Sequence, residues 1–227
     1  MSEIVSSGSQ SKEIVNYSVS GAKKKLYHSS KEPKEGYIKL EMENGKVTYQ
    51  RFVDGLIGNV SFMKIKENDF GGKKSTTFTT FLNGSEQISS IDIALNKDSY
   101  RAFIDAIYNV DFSKEIGVKF YEGKNINNPT KPYQNCFVFY TQETKEIDGK
   151  IKNVTPGRLD SRTLAPKGVE RKSGWDFAEQ EDWYFQKMEE IITRFNEYKL
   201  KNGIAKSITV ALVEKEVLVG DSDELPF

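Results

Sequence analysis

The sequence holds one cysteine, Cys136, and one histidine, His28, in 227 residues. A lone thiol excludes a disulfide framework and a Cys-rich zinc site, and a lone imidazole cannot build a His-based metal centre. His28 sits in a polar stretch beside Lys23, Lys24 and Lys25, where no catalytic triad can be drawn around it. No apolar run approaches the length of a membrane span, and the first residues lack the apolar core of a secretion signal. The expected location is therefore the cytoplasm. P-loop, nucleophile-elbow and Gly-rich dinucleotide patterns are missing too. No metal and no cofactor is expected.

Net charge is lacking as well, with 33 basic and 33 acidic residues. Spread evenly, that balance would argue against a nucleic-acid partner. It is sorted instead. Residues 213–227 hold Glu214, Glu216, Asp221, Asp223 and Glu224 against Lys215 alone, which leaves 32 basic and 28 acidic residues in 1–212. A mildly basic body with an acidic detachable end is the asymmetry expected if the tail competes with nucleic acid for the body's groove.

The end itself reads Asp221-Ser222-Asp223-Glu224-Leu225-Pro226-Phe227. Repelling carboxylates keep such a tail extended, and Pro226 fixes its own φ and lacks an N–H. An aromatic ring beside a free carboxylate suits a partner's pocket with a basic rim and an apolar floor. This end is similar to the C-terminal tip of bacterial single-stranded DNA-binding proteins, which close on acidic residues followed by Ile-Pro-Phe or Leu-Pro-Phe. Small phage replication proteins that coat single strands also end in acidic tails with a terminal Phe. The resemblance implies that Asp221, Asp223, Glu224, Leu225, Pro226 and Phe227 bind replication proteins such as a polymerase, primase or helicase. It also implies a phage origin, hence the cytoplasm of a bacterial host.

Three regions are expected. Residues 1–34, rich in Ser, Lys and Glu, read as a flexible N-terminal arm, although Lys23-Lys24-Lys25 and Tyr27 could lie along a phosphate backbone. Residues 35–213 form the binding domain, and 214–227 the disordered acidic tail. Within the domain, alternation from Tyr37, Asn44-Gly45 and Asn83-Gly84 turns, and β-branched runs predict strands over about 37–42, 46–53, 56–66, 75–82 and 86–95. Ile91 and Ile93 should point inward. The period then changes. Tyr100, Phe103, Ile104, Ile107 and Tyr108 make the stripe of an amphipathic helix with Asp98 as a reasonable N-cap.

Strands resume at 117–121 and 135–142. Residues 143–175 read as a long polar, basic loop, followed by a helix over about 176–201 that stops at Asn202-Gly203. Tyr184, Met188, Ile191, Ile192, Phe195 and Tyr198 form its apolar face. Ser207–Val213 reads as a last strand. The fold expected is mainly β with two helices. A meander, one helix, then more strands looks like the oligonucleotide-binding (OB) antiparallel barrel, with other barrels and α+β sandwiches as alternatives.

Binding single strands without regard to sequence takes rings for bases to stack on and cations that track phosphates. Rings whose strand neighbours at i±2 are Lys or Arg should lie on an unburied face. That test selects Tyr49 with Arg51, Phe62 with Lys64 and Lys66, and Tyr121 with Lys119. Lys73 and Lys74 precede Phe78 and Phe81, and the basic loop adds Arg158, Arg162 and Trp175. A rival enzyme reading starts from Glu122-Gly123-Lys124, the Glu-x-Lys spacing of metal-dependent nucleases, with Asp105 or Asp111 as a second carboxylate. The same residues read more simply as the polar start of a hairpin loop.

The function expected is non-catalytic, largely sequence-independent coating of single-stranded DNA in replication, recombination or repair, with homo-oligomers allowed. A protein–protein adaptor with a similar tail but no DNA binding, and a strand-annealing recombination mediator, stay open as alternatives.

Overall fold

The computed structural model describes residues 12–41, 45–70, 73–95, 98–124, 130, 133–171 and 174–204. The chain opens with β1 (Ile14–Val19), β2 (Leu26–Ser30), β3 (Ile38–Glu41) and β4 (Val47–Val53). A meander follows: β5 (Leu56–Phe70), β6 (Lys73–Asn83) and β7 (Ile88–Ala94). Then come α1 (Asp98–Ile107), β8 (Ile116–Gly123) and β9 (Tyr133–Tyr140). The C-terminal part holds β10 (Thr144–Ile147), β11 (Lys150–Asn153), the single-turn α2 (Ser161–Leu164), β12 (Val169–Arg171), β13 (Gly174–Asp176) and α3 (Ala178–Lys201).

Among the described residues nine strands make one sheet in the order β3-β4-β2-β1-β7-β6-β5-β8-β9. Every pairing is antiparallel except that of β1 with β7. The expected mainly-β character holds; the closed barrel does not. Among the described residues β3 and β9 are open edges of the sheet. A strand has only two edges. β7 gives one to β6 and the other to β1, so nothing is left there for a closing strand.

The strand that occupies that edge comes from the region read as a flexible arm. Residues 14–30 are instead two sheet strands, with Tyr17 and Leu26 almost wholly buried. Val15, Tyr17 and Val19 alternate with Asn16 and Ser18, a period-2 signal that the surrounding Ser, Lys and Glu obscured.

β5 is long and shared. Leu56–Gly58 pair with β8, whereas Asn59–Phe70 pair with β6. A bulge between Val60 and Phe62 lies just beyond the changeover, and the extra residue bends the strand. It also keeps the pleat consistent. Leu56, Val60 and Met63 are buried, and Ile57, Asn59 and Lys64 point the other way.

The inner face is covered by α1, whose stripe of Tyr100, Phe103, Ile104 and Ile107 is buried as its spacing predicts. Each such side chain contributes about 1.5–3 kcal/mol through apolar burial. Phe103 stacks on Phe120 of β8 and tilts against Phe78 of β6, both at 6.0 Å between centroids.

Helix α3 covers the other side of α1. Tyr184 meets Tyr100 edge-on at 5.4 Å, and Phe195 meets Phe112 at 5.1 Å. Arg194 donates to the carbonyls of Tyr108 and Val110, satisfying acceptors left free where α1 ends. Asn202-Gly203 stops α3 as expected, Gly203 taking φ +63° and donating to Leu200 at 3.2 Å.

Residues 143–175 are not one loop. β10 and β11 form a hairpin around Asp148-Gly149, whose φ values of 53° and 69° are those of a tight I′ turn. β12 and β13 form a second small hairpin. Among the described residues the single-turn α2 makes a third helix where two were expected. The expected strand over 207–213 and the acidic tail lie outside the described residues.

Candidate nucleic-acid interface

The outer face of the sheet, turned away from α1, carries rings and cations in register. Phe62 of β5 pairs with Phe81 of β6, which pairs with Ser90 of β7 and then Asn16 of β1. The next row runs Lys64, Thr79, Asp92, Ser18. A third adds Lys66 and Thr77. Directly paired residues share a face, and all of these but Phe62 and Ser18 line one shallow groove of about 360 Å³. Its ring, Phe81, tilts against the neighbouring Phe62 at 5.6 Å and 53°. Lys64 is exposed; Lys66 and both rings are half-buried.

Hydrogen bonds fix the groove's polar wall. Thr79 donates to Asp92 Oδ1 at 2.7 Å, and Ser90 donates to Asn16 Oδ1 at 2.5 Å. Beyond Ser18 the same row continues through Tyr27 and Phe52, whose rings lie 5.9 Å apart with Lys23 Nζ 4.4 Å over Phe52. Lys25 is held in a 2.7 Å ion pair with Asp54.

On the far side of β5 the outer face continues onto the β8–β9 hairpin. Lys119 pairs with Phe137, Tyr121 with Asn135, Gly117 with Phe139 and Gly123 with Tyr133. Both glycines sit beneath rings. A Cβ on Gly117 would lie 2.2 Å from Phe139, and one on Gly123 would lie 2.5 Å from Tyr133. Tyr121 is 43% exposed and Phe137 39%, so these rings are open to solvent. Asn135 donates to the Tyr121 hydroxyl at 2.9 Å, and Phe137 stacks on Phe139 at 5.5 Å.

Five of the residues singled out from sequence thus share the outer face: Phe62, Lys64, Lys66, Lys119 and Tyr121. Tyr49 and Arg51 do not. Their register partners Ser30 and His28 alternate with Tyr27, which places them on the opposite face. There the Arg51 guanidinium lies 5.7 Å over the Tyr37 ring and donates to the Tyr17 hydroxyl at 3.4 Å. Lys73 and Lys74 open β6, paired with Phe70 and Asp69; their side chains lie outside the described residues.

Arg158 has a structural task. Its guanidinium donates at 2.7 Å to the Cys136 carbonyl of edge strand β9, where an unpaired acceptor would otherwise face outward. Arg162 is exposed on α2. Trp175, 61% exposed, stacks on Phe177 at 6.2 Å in the β12–β13 hairpin, with Arg101 5.3 Å over Phe177. The tip residues Asp221 to Phe227 lie outside the described residues.

Sequence reasoning missed Phe52, Tyr133, Phe137 and Phe139. The i±2 test looks along a strand, and the cation nearest Phe137 stands across the ladder on β8. The available signal was glycine inside a strand pattern, Gly117 and Gly123 alternating with Lys119 and Tyr121, which marks a place where another group approaches the backbone.

The two candidate second carboxylates of the nuclease reading, Asp105 and Asp111, are engaged elsewhere. Asp105 accepts from Ser161 at 2.7 Å and from Tyr184 at 3.4 Å, and burial raises its carboxyl above the ordinary range despite those bonds. Asp111 accepts from Ser113 at 2.7 Å, which holds it below that range. Cys136 is fully buried, which pushes its thiol far up. Among the described residues no three His, Cys, Asp or Glu gather as a metal site, and no helix is long and apolar enough to cross a membrane.

Comparison with known proteins found no matching family model, no matching curated protein and no matching solved structure.

Proposed function

We propose that this chain binds single-stranded DNA, largely without regard to sequence, as a non-catalytic coating protein in replication, recombination or repair. The observation that carries the reading is the in-register meeting of rings and cations on one open face: Phe62 and Phe81 beside Lys64 and Lys66, Phe137 beside Lys119. Bases stack on exposed rings at about 1–3 kcal/mol each, and lysines follow the phosphates. A strand's bases must be unpaired to reach those rings. That is what favours single strands over duplex.

The OB-type reading draws support from chain order. β5, β6 and β7 form the meander, α1 follows, and β8 and β9 return beside β5. In OB folds the face of the second and third strands and the loops flanking it hold oligonucleotides. The groove includes the corresponding strands, β6 and β7, flanked by β5 and β1. We take the fold as an OB-type sheet whose seam is held open by β1. The acidic Leu-Pro-Phe tip then serves to recruit replication proteins and to screen the groove when DNA is absent.

Fluorescence anisotropy of the full chain with single- and double-stranded oligonucleotides of equal length tests this. The unpaired strand should bind tighter. With Lys64, Lys66 and Lys119 each neutralising one phosphate at about 0.7 ions released, the log–log salt slope should be about −2. Affinity should then fall roughly 20-fold between 50 and 200 mM salt. A flat salt response, or equal affinity for duplex, would contradict the reading.

A further inference from the structure

The groove is electrically lopsided. Its cations, Lys64 and Lys66, stand on β5, and its carboxylate, Asp92, stands on β7. Lys64 pairs with Thr79 and Thr79 with Asp92, so cation and anion are two strand spacings apart, roughly 10 Å. Between them the Thr79 hydroxyl donates to Asp92 Oδ1 at 2.7 Å and orients the carboxylate. A carboxylate has about four acceptor positions, and among the described residues Thr79 alone donates to Asp92, which leaves Oδ2 and part of Oδ1 for a ligand.

Phosphate and carboxylate repel one another. A strand lying here is therefore driven to run its phosphates along β5 and turn its bases toward β7. Phe81 is the ring in between. It pairs with Ser90, two residues before Asp92, which makes Asp92 its diagonal neighbour at roughly 7–8 Å. A base stacked on Phe81 brings its hydrogen-bonding edge to that carboxylate.

We infer that Asp92 biases the groove toward bases whose exocyclic amine stands at pyrimidine C4 or purine C6, namely cytosine and adenine, over thymine or uracil. The amine of cytosine N4 or adenine N6 donates to a carboxylate oxygen. Thymine presents its O4 carbonyl at the equivalent position, and two acceptors cannot bond. The inference rests on the single-strand reading and narrows it. The groove still accepts any sequence, with a preference set at one stacking position.

The test is equilibrium binding of the full chain to oligo-dC and oligo-dT of equal length, at fixed salt and neutral pH. The parent should bind oligo-dC at least about fivefold tighter, the low end of what one base contact discriminates. Asp92→Asn keeps an oxygen for Thr79 and removes the charge. It should raise affinity for oligo-dT and bring the ratio to about one. Lys64→Ala should weaken both oligonucleotides and leave their ratio unchanged.

Equal parent affinities, or a ratio that Asp92→Asn does not move, overturn the inference and leave the single-strand reading standing. Binding to neither oligonucleotide overturns both. The parent ratio needs no substitution, so a variant that fails to fold does not shield the inference.

Discussion

Strand β6 carries two phenylalanines three residues apart with opposite surroundings. Phe78 is 1% exposed and packs on Phe103 inside the sheet. Phe81 points outward and tilts against Phe62 in the groove. Both stand among threonines, and both follow Lys73-Lys74 in the chain. Their register partners separate them. Phe78 pairs with Ile65 and Ile93, whereas Phe81 pairs with Phe62 and Ser90. An odd spacing on a pleated strand sends two rings to different faces, and the neighbouring strands decide which face is the core.

Alanine at each position should therefore break different properties. Phe78→Ala should cost about 3–5 kcal/mol of folding stability in urea denaturation, since the cavity lies where α1 meets the sheet. The fraction still folded should bind oligonucleotides as the parent does. Phe81→Ala should cost under about 1 kcal/mol of stability, yet remove about 1–3 kcal/mol of strand binding. Similar stability losses for the two variants would mean that the groove ring belongs to the core.

Cations sharpen the same contrast. Lys64 is on the outer face, and Arg51 on the inner face is occupied by Tyr17 and Tyr37. Lys64→Ala should weaken binding a few-fold and reduce the salt slope by about 0.7, one phosphate's share. Arg51→Ala should leave the slope where it was. A titration in which the two substitutions act alike would remove the distinction between the faces.

Much of this was readable in the residues, and the failures have identifiable causes. The helical stripe from Tyr100 to Tyr108 and the strands around Asn83-Gly84 follow local periodicity, which survives in any tertiary setting. Phe62, Lys64 and Lys66 were legible because one strand carries all three on alternate positions. Tyr49 and Arg51 satisfied the same rule on the other face, and nothing along β4 tells one face from the other.

Pairing across the sheet was the hidden variable. It decided that β1 takes the free edge of β7, and that Lys119 stands beside Phe137. The Asp148-Gly149 hairpin was a different failure. Its turn dipeptide is plain in the sequence, flanked by Ile147 and Ile151, but a surrounding run of Lys and Glu made the stretch look like loop.

The two faces also hold carboxylates in opposite settings, and the enclosed one gives folding stability a pH dependence. Asp92 lines the open groove, whereas Asp105 is enclosed by α1, α2 and α3. Desolvation raises the Asp105 carboxyl, outweighing the pull of Ser161, Arg158, Tyr184 and Arg162. A folded state that holds this proton more tightly than the unfolded chain loses stability as pH rises from about 3.8 through the folded value. Asp111 and Glu190 act with the opposite sign. Ser113 lowers Asp111, and at Glu190 desolvation is outweighed by the hydrogen bonds from Lys187 and Tyr108 together with the charges of Lys187 and Arg194. Their stabilisation is present above the unfolded carboxylate range and fades as pH falls. Parent melting curves mix these effects, so the variant must be compared with the parent at each pH. Asp105→Asn keeps an acceptor for Ser161 and removes the titration. The variant's stability relative to the parent should therefore climb between pH 4 and 7 in thermal melts, while oligonucleotide binding stays unchanged. A relative stability that is flat or falling over that window would show that Asp105 ionises in the folded protein as easily as in the unfolded chain.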